Sequence, residues 1–207
     1  MKQIRIIILI LALVLSTTIS AAEKTSPTKV IEEFHAVLLA VMKEAKSLRA
    51  KDRYAKLEPA IVEAFDLGFM IRVASGTVWR KASEEHRSQL TEAFRRMSIA
   101  TYTFRFRDYS GQRFETLKSS EGPRMTKLIH TRIVSPPKNK DKQEQVRRLT
   151  YVTKQIRGMW KIVDVLLDGG ISELSVKHSE YRTILKTKGV GVLAERLNRK
   201  ADQLIAD

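Results

Sequence analysis

Few side chains in this sequence stand in patterns that could do chemistry. Four histidines, His35, His86, His130 and His178, are scattered over 207 residues. None has a second ligand three or four positions on, so no metal site is expected. Each reads first as a surface or packing residue. His130 stands out because it lies mid-strand on the side of Leu128, yet it has no base or nucleophile partner identifiable in the sequence. Asp164 is the one carboxylate set between apolar neighbours, Ile162 and Leu166. A buried aspartate must find hydrogen bonds or a cation. A structural ion pair to Arg80 or Arg132 is expected ahead of a catalytic acid with a raised pKa. No G-x-S-x-G, P-loop, G-x-G-x-x-G or H-E-x-x-H occurs. No catalytic residue, metal or cofactor is expected, and the chain does not read as an enzyme.

The totals narrow the partners. The composition is 43% hydrophobic and 29% charged, which suits one globular domain with a real core. Lys2 and Arg5 precede an apolar run, Ile6 to Leu15, and then Ser-Thr-Thr-Ile-Ser-Ala-Ala, the layout of a secretory signal peptide cut after Ala22. The run is short for a membrane span of ~20 residues. The domain expectation is therefore a signal peptide over residues 1–22 and a single domain over 23–207. Losing Lys2 and Arg5 takes the formal charge from +15 to +13. In the cytosol such charge would point to nucleic acid. On an exported chain no nucleic acid is expected, and anionic membrane surfaces are the favoured partner, at ~1 kcal/mol per nearby Lys or Arg. Solubility alone is the bland alternative. With no cysteine, the domain is held by its core.

The elements that must position these residues follow from periodicity. Apolar residues from Val30 to Ala45 share one face of a helix over 28–48, with Thr28 as a cap. A second helix runs from 51 to 64, with Pro59 threatening a break. Asp66 caps a short helix stopped at Gly76. Ser83 caps a long helix, with Glu84 and Glu85 at its positive end. Leu90, Phe94, Met97, Thr101 and Phe104 mark one of its faces, and Ile99, Tyr102, Phe106 and Tyr109 an adjacent one. A period near two then predicts strands over 112–118, 124–134, 146–156 and 159–167, the last two joined by a hairpin at Arg157-Gly158. Ser135 to Gln145 is a charged loop. The 159–167 strand is apolar on both sides and so is expected to be central or covered twice. Two helices close the chain, the first capped by Ser172 or Ser175, the second over 190–205. The fold class is α+β, a four-stranded antiparallel meander wrapped by N-terminal and C-terminal helices.

A helix apolar on two stripes and a strand apolar on two sides fit either a solid core or a cavity between them. In the second case Val73, Trp79, Phe94, Met97, Leu128, Trp160 and Leu166 would line a slot for hydrocarbon, and Tyr102, Tyr109 and Tyr151 would form a polar rim. The residue pattern leaves both open.

Two stretches favour the cavity. FDLGFMIRVASGTVW, then RKASEEHRSQLTEAF and a tyrosine near the helix end, resembles the MlaC or toluene-tolerance family of periplasmic lipid carriers. RGMWKIVDVLLDGGISELSVKHSEYRTILKTKGVGVLAERLNRKAD is similar to that family's C-terminal half. Its wording GGISELSVKHSEYR is closest to the branch associated with hopanoid biosynthesis, HpnM. The resemblance spans roughly residues 30–201. It implies an apolar lipid pocket between sheet and long helix, and a carrier of phospholipid or hopanoid shuttling between inner and outer membranes. It also implies partners: an inner-membrane transport complex of ABC or RND type and an outer-membrane acceptor. A lipid-modifying enzyme and a structural adaptor are the rival readings.

Overall fold

The computed structural model describes residues 26–137, 139, 143–168 and 170–206. The expected signal peptide, parts of the 135–145 loop and Gly169 lie outside the described residues. Helices come first: α1 (Pro27–Glu44), α2 (Ala50–Ala64), α3 (Leu67–Ser75), α4 (Thr77–Lys81) and α5 (Glu84–Arg105). Strands β1 (Arg113–Gly122), β2 (Thr126–Ser135), β3 (Gln145–Ile156) and β4 (Met159–Leu167) follow, then β5 (Ile171–Ser172), α6 (Glu173–Thr187) and α7 (Gly189–Ile205). The sheet order is β1-β2-β3-β4-β5, every pair antiparallel. The α+β meander stands as expected, with a fifth, two-residue strand added at its edge. No described helix is long and apolar enough to cross a membrane.

The caps explain the boundaries. Ser26, rather than Thr28, starts α1 by accepting the Lys29 N–H at 3.1 Å, with Pro27 at the first helical position. Asp66 accepts the Phe69 N–H at 2.8 Å, Ser83 that of His86 at 3.2 Å, and Ser172 that of Ser175 at 3.0 Å. Pro59 does not break α2, which continues through it to Ala64. β1 extends four residues past the predicted Lys118, and the turn to β2 falls at Pro123–Met125. At the β3–β4 hairpin Arg157 and Gly158 both take positive φ, 51° and 84°, as a type I′ turn requires.

One register shift decides what faces what. Thr153 pairs with Ile162 and Val152 with Asp164, leaving Val163 as an extra residue in β4. The bulge reverses the inside–outside alternation midway, so Ile162 and Val165 both join the main core. This corrects the expectation for β4. Its apolar residues on both sides reflect a change of parity, and the strand lies one from the sheet edge, beside β5.

The helices pack on one side of the sheet. Ile31, Phe34, Leu38, Leu57, Ile61, Ile71, Leu90 and Ile99 are almost fully buried with Ile129, Tyr151 and Ile162 of the sheet. Phe65, just before Asp66, bridges β4 at Ile162, and the Asp66 N–H donates to the Ile162 carbonyl at 2.9 Å. That contact fixes α2, α3 and the sheet relative to one another. Arg96 ties α5 to α7 through Asn198 at 2.7 Å and Asp202 at 2.8 Å.

Candidate functional site

The C-terminal end of α5 stands off from the sheet, and a cleft of about 570 Å³ lies between them. This is within the range of about 300–1,000 Å³ usual for small-molecule sites. Its floor is buried and apolar: Met42 of α1, Tyr151 of β3 and Val165 of β4, flanked by half-buried Phe106, Ile133, Leu149 and Leu167. Its exposed members are polar, namely Arg105, Asp108, Arg147 and Asp168. Ile133, Arg147, Leu167 and Asp168 sit where β2 and β4 end and β3 begins, so the cleft opens at that end of the sheet. A dry floor with a charged rim suits an amphiphile: hydrocarbon within, polar head at the mouth.

The inner wall is aromatic. Phe34 makes edge contacts with Phe65 at 5.2 Å, Tyr102 at 5.4 Å and Tyr151 at 6.5 Å, and Tyr102 stacks on Phe106 at 5.7 Å between ring centroids. Behind it, the His35 ring stacks on Phe114 at 4.5 Å and its Nε2 shares a 2.9 Å hydrogen bond with the Tyr151 hydroxyl. Burial pushes the His35 pKa down to about 4, keeping the ring neutral, and pushes the phenols of Tyr102 and Tyr151 up. The wall is uncharged at neutral pH.

A second, much tighter hollow of about 40 Å³ lies between α3, α5 and α6, lined by Phe65, Leu67, Met70, Phe94 and Met97. Tyr102, Arg105 and Glu173 border both spaces. Arg105 donates to Glu173 at 2.9 Å, so an ion pair and one phenol separate hollow from cleft. A third hollow, of about 130 Å³, sits between α1, α2 and the start of β4.

Of the residues expected to meet hydrocarbon, Tyr102 and Tyr151 line the cleft itself, as wall and floor rather than rim. Phe94 and Met97 border the second hollow and Trp160 the third. Trp79 is half-buried against the core. Val73 is exposed on α3. Leu128 and Leu166 occupy sheet positions alternate to the cleft-lining residues and face the other way. Tyr109 does not line the cleft; Lys43 lies over its ring, 5.8 Å from the centroid. The expectation missed Leu149, Val165 and Leu167. Leu149 was visible in the alternation with Tyr151. Val165 and Leu167 lie on the side opposite to Leu166, and the Val163 bulge that turns them to the core side is silent in the pattern.

Neither residue required by an enzymatic reading lines the cleft. Asp164 accepts from the Ser172 hydroxyl at 2.5 Å and from the N–H groups of Val165 at 2.8 Å and Leu174 at 3.0 Å. It anchors the start of α6 and forms no ion pair with Arg80 or Arg132; Arg132 bonds Glu115 at 2.6 Å instead. His130 is held between Ser120 at 2.9 Å and Thr150 at 3.1 Å on the outer sheet face. Among the described residues no cluster of metal-binding side chains occurs.

The family model described as MlaC protein matches residues 32–199. Among solved structures, the phospholipid-binding protein from Ralstonia solanacearum, determined in complex with a phospholipid, aligns with a TM-score of 0.71 at 17% identity. The alignment covers 88% of this chain and 100% of that one. At that identity the likeness shows a shared fold.

Proposed function

The chain belongs to the MlaC protein family, and from that membership we propose that it is a periplasmic lipid carrier, exported by cleavage of residues 1–22, with no catalytic step of its own. The observation that carries the reading is the cleft of about 570 Å³ between α5 and the sheet, apolar at its floor and charged at its mouth. Carriage needs such a space. At ~0.8 kcal/mol per methylene, a ~15-carbon chain costs on the order of 12 kcal/mol to bring bare into water. The same space supports a ligand with hydrocarbon on the Leu149–Val165–Leu167 floor and its polar head near Arg105 and Arg147.

The ligand we propose is a glycerophospholipid, taken up from an inner-membrane transport complex of ABC or RND type and delivered to an outer-membrane acceptor. The C-terminal wording GGISELSVKHSEYR favours a second reading, in which the hydrocarbon is a hopanoid. Solvent extraction of the purified protein followed by mass spectrometry tests both and names the lipid. Leu149→Trp, which fills the floor, should abolish the extracted lipid while the protein remains folded. Leu117→Trp, on an exposed strand position, should leave it bound. Lipid retained by a folded Leu149→Trp protein would remove the cleft from the account. Extraction that yields no lipid from the unaltered protein would end the carrier reading.

A further inference from the structure

We propose that the Arg105–Glu173 ion pair is a latch inside the lipid site. It divides the apolar space into two branches, and a ligand with two hydrocarbon chains seats the second chain only when the pair parts. This rests on the carrier reading above and names the class of ligand that the site selects, a two-chain lipid.

The hollow between α3, α5 and α6 and the cleft between α5 and the sheet are bordered by the same three side chains, Tyr102, Arg105 and Glu173. One ring stands between the two spaces. Tyr102 lies 5.6 Å from Phe65, which lines the hollow, and 5.7 Å from Phe106, which lines the cleft. Apolar lining thus continues on both sides of the partition, with Met70, Phe94 and Met97 on one side and Leu149 and Val165 on the other. At about 40 Å³ the closed hollow offers little more than the ~30 Å³ share of one water. A hydrocarbon chain enters it only once it widens. Met70 and Met97 are unbranched and change rotamer readily, so part of that widening needs no movement of the backbone.

The partition is built to part. Arg105 is the last residue of α5 and Glu173 the first of α6. Each charge complements the dipole of its own helix end, so neither is stranded when the pair opens. The Arg105 side chain is 55% exposed and that of Glu173 22%, and an ion pair so open to water adds little to stability. An apolar plug in the same place would be tied into the core and would resist opening. α6 packs chiefly on α3 and α7, so this pair, at 2.9 Å, is what joins the end of α5 to the start of α6 over the hollow. Lys177 also borders the hollow but pairs with Glu180 at 3.6 Å, which leaves Glu173 to Arg105.

The sequence has no cysteine, so Arg105→Cys with Glu173→Cys can be bridged selectively by a short bis-methanethiosulfonate linker and released with reductant. Delipidated protein would be offered dioleoyl phosphatidylglycerol or oleoyl lysophosphatidylglycerol, and bound lipid read by native mass spectrometry. The bridged protein should bind the two-chain lipid at least about tenfold more weakly than the same protein after reduction, since each methylene kept in water costs about fourfold. The single-chain lipid should bind alike in both states. Met97→Trp, which fills the hollow from α5, should show the same split between the two lipids. Two-chain lipid bound equally by bridged and reduced protein, or by Met97→Trp and the unaltered protein, would overturn the latch and leave the carrier reading standing. Loss of both lipids on bridging would mean that the linker shuts the cleft itself, and would overturn the latch too. An unaltered protein that binds neither lipid would overturn both readings.

Discussion

Mild acid should destabilise this fold through one residue, His35. It lies on α1 and is only 5% exposed, with its ring on Phe114 and its Nε2 on the Tyr151 hydroxyl. Burial lowers its pKa from the ordinary value of 6.5 to about 4. The unfolded chain takes up a proton as the pH falls through 6.5, whereas the folded protein resists until about 4. Stability is therefore complete above pH 6.5 and declines between 6.5 and 4. At about 1.36 kcal/mol per pH unit, the full loss is about 3 kcal/mol, and roughly 2 kcal/mol of it is gone by pH 5. Hydrogen-bonded arginines hold Glu92, Glu115 and Glu144 below the usual carboxylate range. The stability these pairs add is lost only as the pH falls through the ordinary carboxylate range and below, so most of it is still present at pH 5.

Urea unfolding followed by the fluorescence of Trp79 and Trp160, at pH 7.5 and pH 5, measures the loss. His35→Gln keeps a polar group beside Tyr151 but cannot titrate, so its stability should change little over the same interval. If His35→Gln lost as much stability between the two pH values as the unaltered protein, the burial argument would be refuted. Because Tyr151 is also the floor of the cleft, the same acid step should release bound lipid from the unaltered protein before it unfolds. That release is read by extraction.

Two further substitutions test the framework. Asp164→Ala removes three hydrogen bonds from the β4–α6 junction and should cost about 2–4 kcal/mol in urea unfolding, since bonds to a charged acceptor contribute ~1.5–3 kcal/mol. A loss under about 0.5 kcal/mol would show that the aspartate does not anchor α6. Pro59→Ala, at an exposed position inside α2, should raise stability by about 1–2 kcal/mol, because proline costs ~3 kcal/mol in a helix interior and recovers part of that by stiffening the unfolded chain. A decrease would mean that Pro59 makes packing contacts that alanine does not replace.

Much of the architecture was legible in the residues, for identifiable reasons. Asp66, Ser83 and Ser172 are caps whose hydrogen bonds are local, so three or four consecutive residues contain the whole instruction. Arg157-Gly158 is likewise a turn written in two residues. The cleft was less legible because its walls depend on register. Leu166 and Val165 look equivalent in a strand apolar on both sides, and only pairing with β3 shows that the alternation reverses at Val163. Val73 looks like a core residue on the short α3 helix, but the turn places it outward. The ligation of Asp164 was missed for a similar reason. Its partners are the adjacent Val165 N–H, the Ser172 hydroxyl and the Leu174 N–H at the start of α6, which a search for cationic side chains passes over.

The bulge also explains how one sheet carries both a rigid core and an open space. Before Val163, Ile162 is pinned to Phe65, and α2 and α3 close tightly over that half of β4. After it, Val165 and Leu167 turn to the same side of the sheet but lie beyond the reach of α2. They face the last turn of α5, which ends at Arg105 before the sheet does. A helix running one or two turns further would bury Leu149 and Leu167 and fill the gap. Instead the chain leaves the helix through Phe106, whose φ of −108° and ψ of 37° are no longer helical, and Asp108 to Gln112 pass around the mouth. The cleft thus arises where a helix stops short of the surface it should cover. Phe34, edge-on to both Tyr102 and Tyr151, forms the inner limit of that space.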